Sequence, residues 1–85
     1  MKTLEKILEL FPDDDFLKMD GYDNAIIGFD QQQMKLIYSV PKCIDVLVEE
    51  QGMELDDAID YFEYNTRRSI PYIKDAPILM DVVEW

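Results

Sequence analysis

Histidine is absent from all 85 residues of the sequence, so the side chain that proteins most often use as a general base is missing. Without histidine, no Ser-His or Cys-His pair can activate a nucleophile, and no histidine-containing metal site can form. Cys43 is the only cysteine. It lies near the start of a predicted helix, where a thiolate would be stabilised, but it flanks the apolar stripe and has only Lys42 as a basic neighbour in sequence. We interpret Cys43 as a buried structural cysteine.

Carboxylates are the other candidate chemistry, because oxygen ligands bind Ca²⁺ and Mg²⁺. The densest group is the run of three aspartates at 13–15, followed by Asp20 and Asp23. When Gly21 is taken as the glycine of an EF-hand loop, an aromatic and a basic side chain fall on ligand positions, so this pattern fails. Helix capping or a solvated loop explains these acids better. A carboxylate-based metal or ligand-binding domain remains an alternative.

The chain is short for an enzyme that would use paired carboxylates, because a domain of this size leaves little room for a substrate cleft. No glycine-rich phosphate loop is present. We predict no catalytic residue, no metal and no cofactor, and therefore no enzyme.

The formal net charge is −11, from 19 acidic and 8 basic residues. Such a charge opposes direct binding to nucleic acid and to anionic membranes, since both require basic surfaces. It suits a protein partner with a basic surface, or a groove built for nucleic acid. Solubility alone is the alternative explanation.

Eight of the carboxylates fall within residues 45–63, a segment without a single base. Several of them are like-charged neighbours three or four residues apart on predicted helices, and each such pair costs a helix roughly 0.2–0.5 kcal/mol. A self-repelling acidic face with an aromatic side chain in it is typical of an interface. We predict a partner-binding face made of Asp45, Glu49, Asp56, Asp57, Asp60, Glu63 and Tyr64.

Two side chains lie off the apolar stripes of these helices. Tyr64 lies on the polar face of its helix beside Asp57 and Asp60, and Val46 points away from the stripe of its own helix. Either an external partner covers them, or they pack against the N-terminal helix or the 67–77 segment.

Periodicity predicts the elements that position these residues. Helices are expected over 3–11, 40–51 and 54–66, where apolar residues recur every three to four positions. The third of these helices is expected to bury Leu55, Ala58, Ile59 and Phe62. Alternating patterns predict strands over 24–29, 34–40 and 78–83, with a hairpin loop at 30–33 and a bulge or a close approach at Gly28.

The fold class that follows is α+β in a single domain, 1–85, with the order α-β-β-α-α-β. We expect a small, mainly antiparallel three-stranded sheet with helices packed on one face. The third strand should run antiparallel to the second or lie parallel beside the first.

Several segments resemble a known type of sequence. They include Tyr22-Asp23-Asn24-Ala25-Ile26-Ile27-Gly28, Pro41-Lys42-Cys43-Ile44 and, as the most specific, Tyr61-Phe62-Glu63-Tyr64-Asn65. Over roughly residues 20–80 the chain is similar to small uncharacterised proteins encoded by tailed bacteriophages. The Thr-Arg-Arg after Asn65 and the acid at position 54 depart from that pattern. The resemblance implies a setting in the cytoplasm of an infected bacterium and carries over no functional residue.

Taken together, these patterns predict a non-enzymatic, acidic protein-binding module in the cytoplasm. With this charge, the resemblance to bacteriophage proteins implies a role as inhibitor of a host nucleic-acid-handling or defence complex, such as a CRISPR effector or a restriction enzyme, by a surface that mimics nucleic acid. The alternative is a small structural or accessory subunit that forms a homodimer through the sheet edge or Val46.

Overall fold

A computed structural model describes residues 2–12 and 16–83. It contains the helices α1 (Lys2–Leu10), α2 (Val40–Gln51) and α3 (Leu55–Tyr61), and a π-helix that continues α3 over Phe62–Arg67. The strands are β1 (Ile26–Asp30), β2 (Lys35–Ser39) and β3 (Ile78–Met80), and short 3₁₀ turns span Asp23–Ala25 and Ile70–Tyr72. The predicted α+β class and the order of the elements are confirmed.

The β1–β2 hairpin forms where the alternating pattern predicts it. The Asp30 carboxylate ends β1 and accepts hydrogen bonds from the backbone N–H groups of Gln32 (2.9 Å) and Gln33 (3.3 Å), which fixes the start of the loop. The antiparallel register shifts between Ile26 and Gly28, so a bulge is present at the predicted position.

The direction of the third strand was predicted incorrectly. β3 pairs with β2 in the parallel direction, so the sheet is mixed and has the order β1-β2-β3. A parallel neighbour requires the chain to return to the end of the sheet at which β2 begins. Residues 68–77, which include the 3₁₀ turn Ile70–Tyr72, provide this return after the helices. β3 also ends at Met80 instead of Val83, and the residue after it, Asp81, accepts hydrogen bonds from Arg67.

The core lies between one face of the sheet and the helices. Ile26, Leu36 and Tyr38 point to this face and are 3%, 1% and 0% exposed, respectively. They form one cluster with buried residues of α1, α2, α3 and the π-helix. The helices therefore cover one side of the sheet, as predicted.

Tyr38 connects the loop before β1 to this core through a hydrogen bond. Its hydroxyl oxygen accepts a hydrogen bond from the Met19 backbone N–H at 2.8 Å. Tyr38→Phe leaves that N–H without its acceptor, so we expect the free energy of unfolding to fall by about 1–2 kcal/mol. Urea unfolding measures the change, and Tyr72→Phe is the control because Tyr72 is 90% exposed. Equal losses in the two variants would contradict the assigned role of the hydrogen bond.

Helix α2 begins and ends at the predicted residues. The Ser39 hydroxyl caps its N-terminus by accepting from the Lys42 N–H, and Gly52 closes its C-terminus in the left-handed conformation at φ 70°. Cys43 is fully buried in the core, as predicted. Val46, expected away from the stripe, is also buried, since the 3₁₀ turn at Asp23–Ala25 packs against α2 and widens its buried face. Val46 is therefore unavailable for self-association.

Candidate protein-binding face

Helix α3, together with Phe62 as the first residue of the π-helix, presents four rows of side chains, because residues four apart lie on nearly the same side of an α-helix. In order around the helix, these are a buried row (Ala58, Phe62), an apolar row (Leu55, Ile59), an acidic row (Asp56, Asp60) and a mixed row (Asp57, Tyr61). Ala58 and Phe62 are completely inaccessible to solvent. The six residues of the other three rows are all exposed. Of these four rows, the one formed by Ala58 and Phe62 is fully buried.

The prediction that Leu55 and Ile59 are buried is wrong. Leu55 is 57% exposed and Ile59 is 40% exposed. In the sequence, four apolar residues recur at the spacing expected of one buried helix face: Leu55, Ala58, Ile59 and Phe62. However, α3 packs against α2 and fits into the core only through the small Ala58 and the large Phe62. The apolar row lies beyond the edge of this contact.

The acidic row and Asp57 have no ion-pair partner in the part of the chain that the structure describes. Asp56, Asp57 and Asp60 form no ion pair or side-chain hydrogen bond with any residue of the described ranges 2–12 and 16–83. Asp56 and Asp57 lie in the first turn, where the helix dipole favours them, but Asp60 lies beyond that turn. The three side chains form an accessible and uncompensated negative surface.

Glu63 differs from the other predicted acids because it has a partner. Its Oε2 lies 2.9 Å from Nε of Arg67, four residues later. The same guanidinium donates to both carboxylate oxygens of Asp81, at 2.7 and 3.2 Å. These hydrogen bonds from Arg67 lower the pKa of the Asp81 carboxyl. Glu63 is thus part of a structural ion-pair network and adds little free charge to the binding face.

The π-helix explains how Arg67 reaches this position. Its i→i+5 bonding, seen between the Arg68 N–H and the Glu63 carbonyl at 3.2 Å, brings residues five apart onto one side. As a result, the Arg67 guanidinium carbon lies 6.0 Å from the centre of the Phe62 ring. The sequence predicted an α-helix ending at Thr66 with Arg67 just beyond it. Nothing local in the sequence indicates the distant partner, Asp81.

Tyr64 is exposed, as the interface prediction requires, with 68% of its surface accessible. The guanidinium carbon of Arg68 lies 5.5 Å from its ring centre, at a distance suited to a cation–π contact. Tyr64 and the neighbouring base Arg68 therefore follow the acidic row along the chain.

The two predicted acids of α2 occupy a different part of the surface. Asp45 and Glu49 are exposed and four residues apart on α2. Asp45 lines a groove together with Ile27, Lys42 and Val82, and no residue of α3 lines that groove. Asp45 thus faces the end of the sheet at which β2 ends, and the compact part of the predicted site is Asp56, Asp57 and Asp60, on α3.

A cavity of about 270 Å³ lies beside the π-helix, lined mostly by apolar side chains, among them Leu17 and Ile70. Its polar groups already have partners. The hydroxyl groups of Tyr22 and Thr66 lie 3.5 Å apart, and the Ser69 hydroxyl donates to the Thr66 carbonyl. Burial raises the pKa of Tyr22, so this phenol stays protonated. The hydroxyl groups that line the cavity are thus bonded within the protein.

The aspartates at 13–15, considered above as metal ligands, lie outside the described residues. Asp23 binds the Lys18 ammonium at 3.0 Å. Among residues 2–12 and 16–83, no group of three or more acidic or cysteine side chains is arranged to hold a metal ion. No helix in these ranges has both the length and the apolar composition needed to cross a membrane.

No family model, curated protein or solved structure matches the chain.

Proposed function

We propose that this protein is a non-enzymatic binding module that docks on a basic surface of another protein through Asp56, Asp57 and Asp60. The observation that carries the proposal is the exposure of these three carboxylates without any compensating base on the described part of the chain. Charges arranged in this way steer association and select partners of opposite sign.

The partner we favour is a protein whose basic surface otherwise contacts nucleic acid. Such a surface is a dense field of Lys and Arg side chains, and a row of carboxylates competes for it in the place of phosphates. Given the resemblance to bacteriophage proteins, the proposal extends to inhibition of a host complex that handles nucleic acid, such as a CRISPR effector or a restriction enzyme.

The test is capture of partners from bacterial lysate on the immobilised protein, compared with Asp56→Asn/Asp57→Asn/Asp60→Asn. We expect the wild type to retain a partner at low salt and to release it at high salt or when duplex DNA is added, because screening and competition both weaken the contact. The triple variant should lose at least nine-tenths of the captured partner. It should keep or raise the melting temperature, because like-charge repulsion within α3 is removed.

A matched control separates a local effect from the overall charge. Glu9→Gln/Asp20→Asn/Glu50→Gln also removes three exposed carboxylates and brings the formal net charge from −11 to −8, but leaves α3 intact. We expect this control to capture the partner as the wild type does. Equal loss in both triple variants, or retention by the α3 variant, would refute the proposed face.

A further inference from the structure

The apolar row of α3 is an exposed hydrophobic feature next to the acidic row. Single exposed apolar side chains are common on protein surfaces. Here, however, Leu55 and Ile59 are one helical turn apart and lie directly beside Asp56 and Asp60, with Tyr61, 45% exposed, on the far side of the acids. The helix thus exposes an acidic row bordered on both sides by large apolar groups.

We propose that the partner segment bound by α3 is a basic amphipathic helix, which places apolar side chains on Leu55 and Ile59 and Lys or Arg side chains on Asp56 and Asp60. This inference rests on the proposed function and specifies the chemistry of the partner. Two helices that pack along such ridges bury the apolar rows while the charged rows pair beside them.

Charge complementarity selects this occupant. A membrane or nucleic acid would bring negative charge to a negative surface. A second copy related by a two-fold axis would place the same acidic face against itself. A surface lined only with bases would satisfy Asp56 and Asp60 but would leave Leu55 and Ile59 against charged groups, and their burial would then contribute nothing. A helix that carries both kinds of side chain satisfies both rows.

A defined peptide tests the inference by isothermal titration calorimetry at fixed ionic strength. The probe is a synthetic helix of about 18 residues, made of Leu and Lys with leucines at the i, i+3, i+4, i+7 spacing. The comparison peptide has the same composition in a permuted order that forms no apolar face. We expect the wild-type protein to bind the amphipathic peptide at least tenfold more tightly than the permuted one.

Variants assign this preference to the apolar row. Leu55→Ala/Ile59→Ala should bind the two peptides with equal affinity, while Leu10→Ala, at a 70% exposed position on α1, should keep the tenfold preference. Asp56→Asn/Asp60→Asn should lower the affinity for each peptide at least threefold and leave the ratio of the two affinities unchanged. Melting temperatures within a few degrees of the wild type verify that each variant is folded.

The outcomes separate the two proposals. Equal affinity of the wild type for both peptides, or a preserved preference in Leu55→Ala/Ile59→Ala, overturns the amphipathic-helix inference while leaving the acidic face in place. Unchanged affinity of Asp56→Asn/Asp60→Asn for both peptides overturns the acidic face itself. Absence of binding by either peptide to the wild type overturns both.

Discussion

Phe62→Ala is expected to lower the free energy of unfolding by about 3–5 kcal/mol, which is a large fraction of the stability of a small domain. Phe62 is inaccessible to solvent and is one of the two residues that fix α3 to the protein. Its ring packs edge-on against Tyr22, with ring centres 5.9 Å apart, and lies beneath the Arg67 guanidinium. Alanine would remove the packing that positions both α3 and the π-helix.

Urea unfolding followed by circular dichroism measures this effect. Tyr64→Ala is the matched control, because it deletes an aromatic ring from the same π-helix at a position that is 68% exposed. We expect the control to lose no more than about 1 kcal/mol, from its contact with Arg68. A Phe62→Ala protein within 1 kcal/mol of the wild type would show that α3 is held by other contacts.

Alkaline pH is expected to destabilise the protein steeply, with Cys43 as the main cause. Burial in the core raises the pKa of the Cys43 thiol from 9.0 to about 12. A raised pKa means that the folded state holds the proton more tightly than the unfolded chain. The stabilisation is therefore complete below pH 9 and is lost as the pH rises towards 12, at about 1.4 kcal/mol for each pH unit. The total is on the order of 4 kcal/mol.

Tyr38 also contributes to the loss of stability at high pH, but over a narrower pH range. Burial raises its pKa from 10.0 to about 12, so its contribution begins to fall near pH 10. Urea midpoints measured between pH 8 and pH 11 test the prediction. Cys43→Ala is the informative variant, since it should be less stable than the wild type at pH 8 but should lose clearly less stability between pH 9 and pH 10. An identical pH profile in the variant would exclude the thiol as the cause.

Much of the fold follows from local patterns in the sequence. Helix α2 lies at the predicted residues because Ser39, Pro41 and Gly52 determine its two ends through short-range hydrogen bonds and backbone preferences. The β1–β2 hairpin and its bulge likewise depend on residues that are close together in the sequence. The direction of β3 depends on the path of residues 68–77, which no local pattern encodes, and this is where the prediction was wrong.

The candidate face was predicted in part, and the errors also come from distant contacts. Exposure of Asp56, Asp57 and Asp60 follows from their charge. The neutralisation of Glu63 depends on the π-helix and on Arg67, which Asp81 also binds from beyond β3. The exposure of Leu55 and Ile59 depends on how much of α3 the rest of the protein covers. An apolar period indicates which side of a helix is able to be buried, whereas the neighbouring elements determine how wide the buried side is.

The attachment of α3 through Ala58 and Phe62 has a consequence for how its sequence can change. Packing in the core constrains these two positions, while the other six residues of α3 are all exposed. Substitutions there alter what the helix recognises at little cost to folding. Related chains could therefore diversify their binding specificity along this helix, following changes in a partner, while the domain beneath it stays the same.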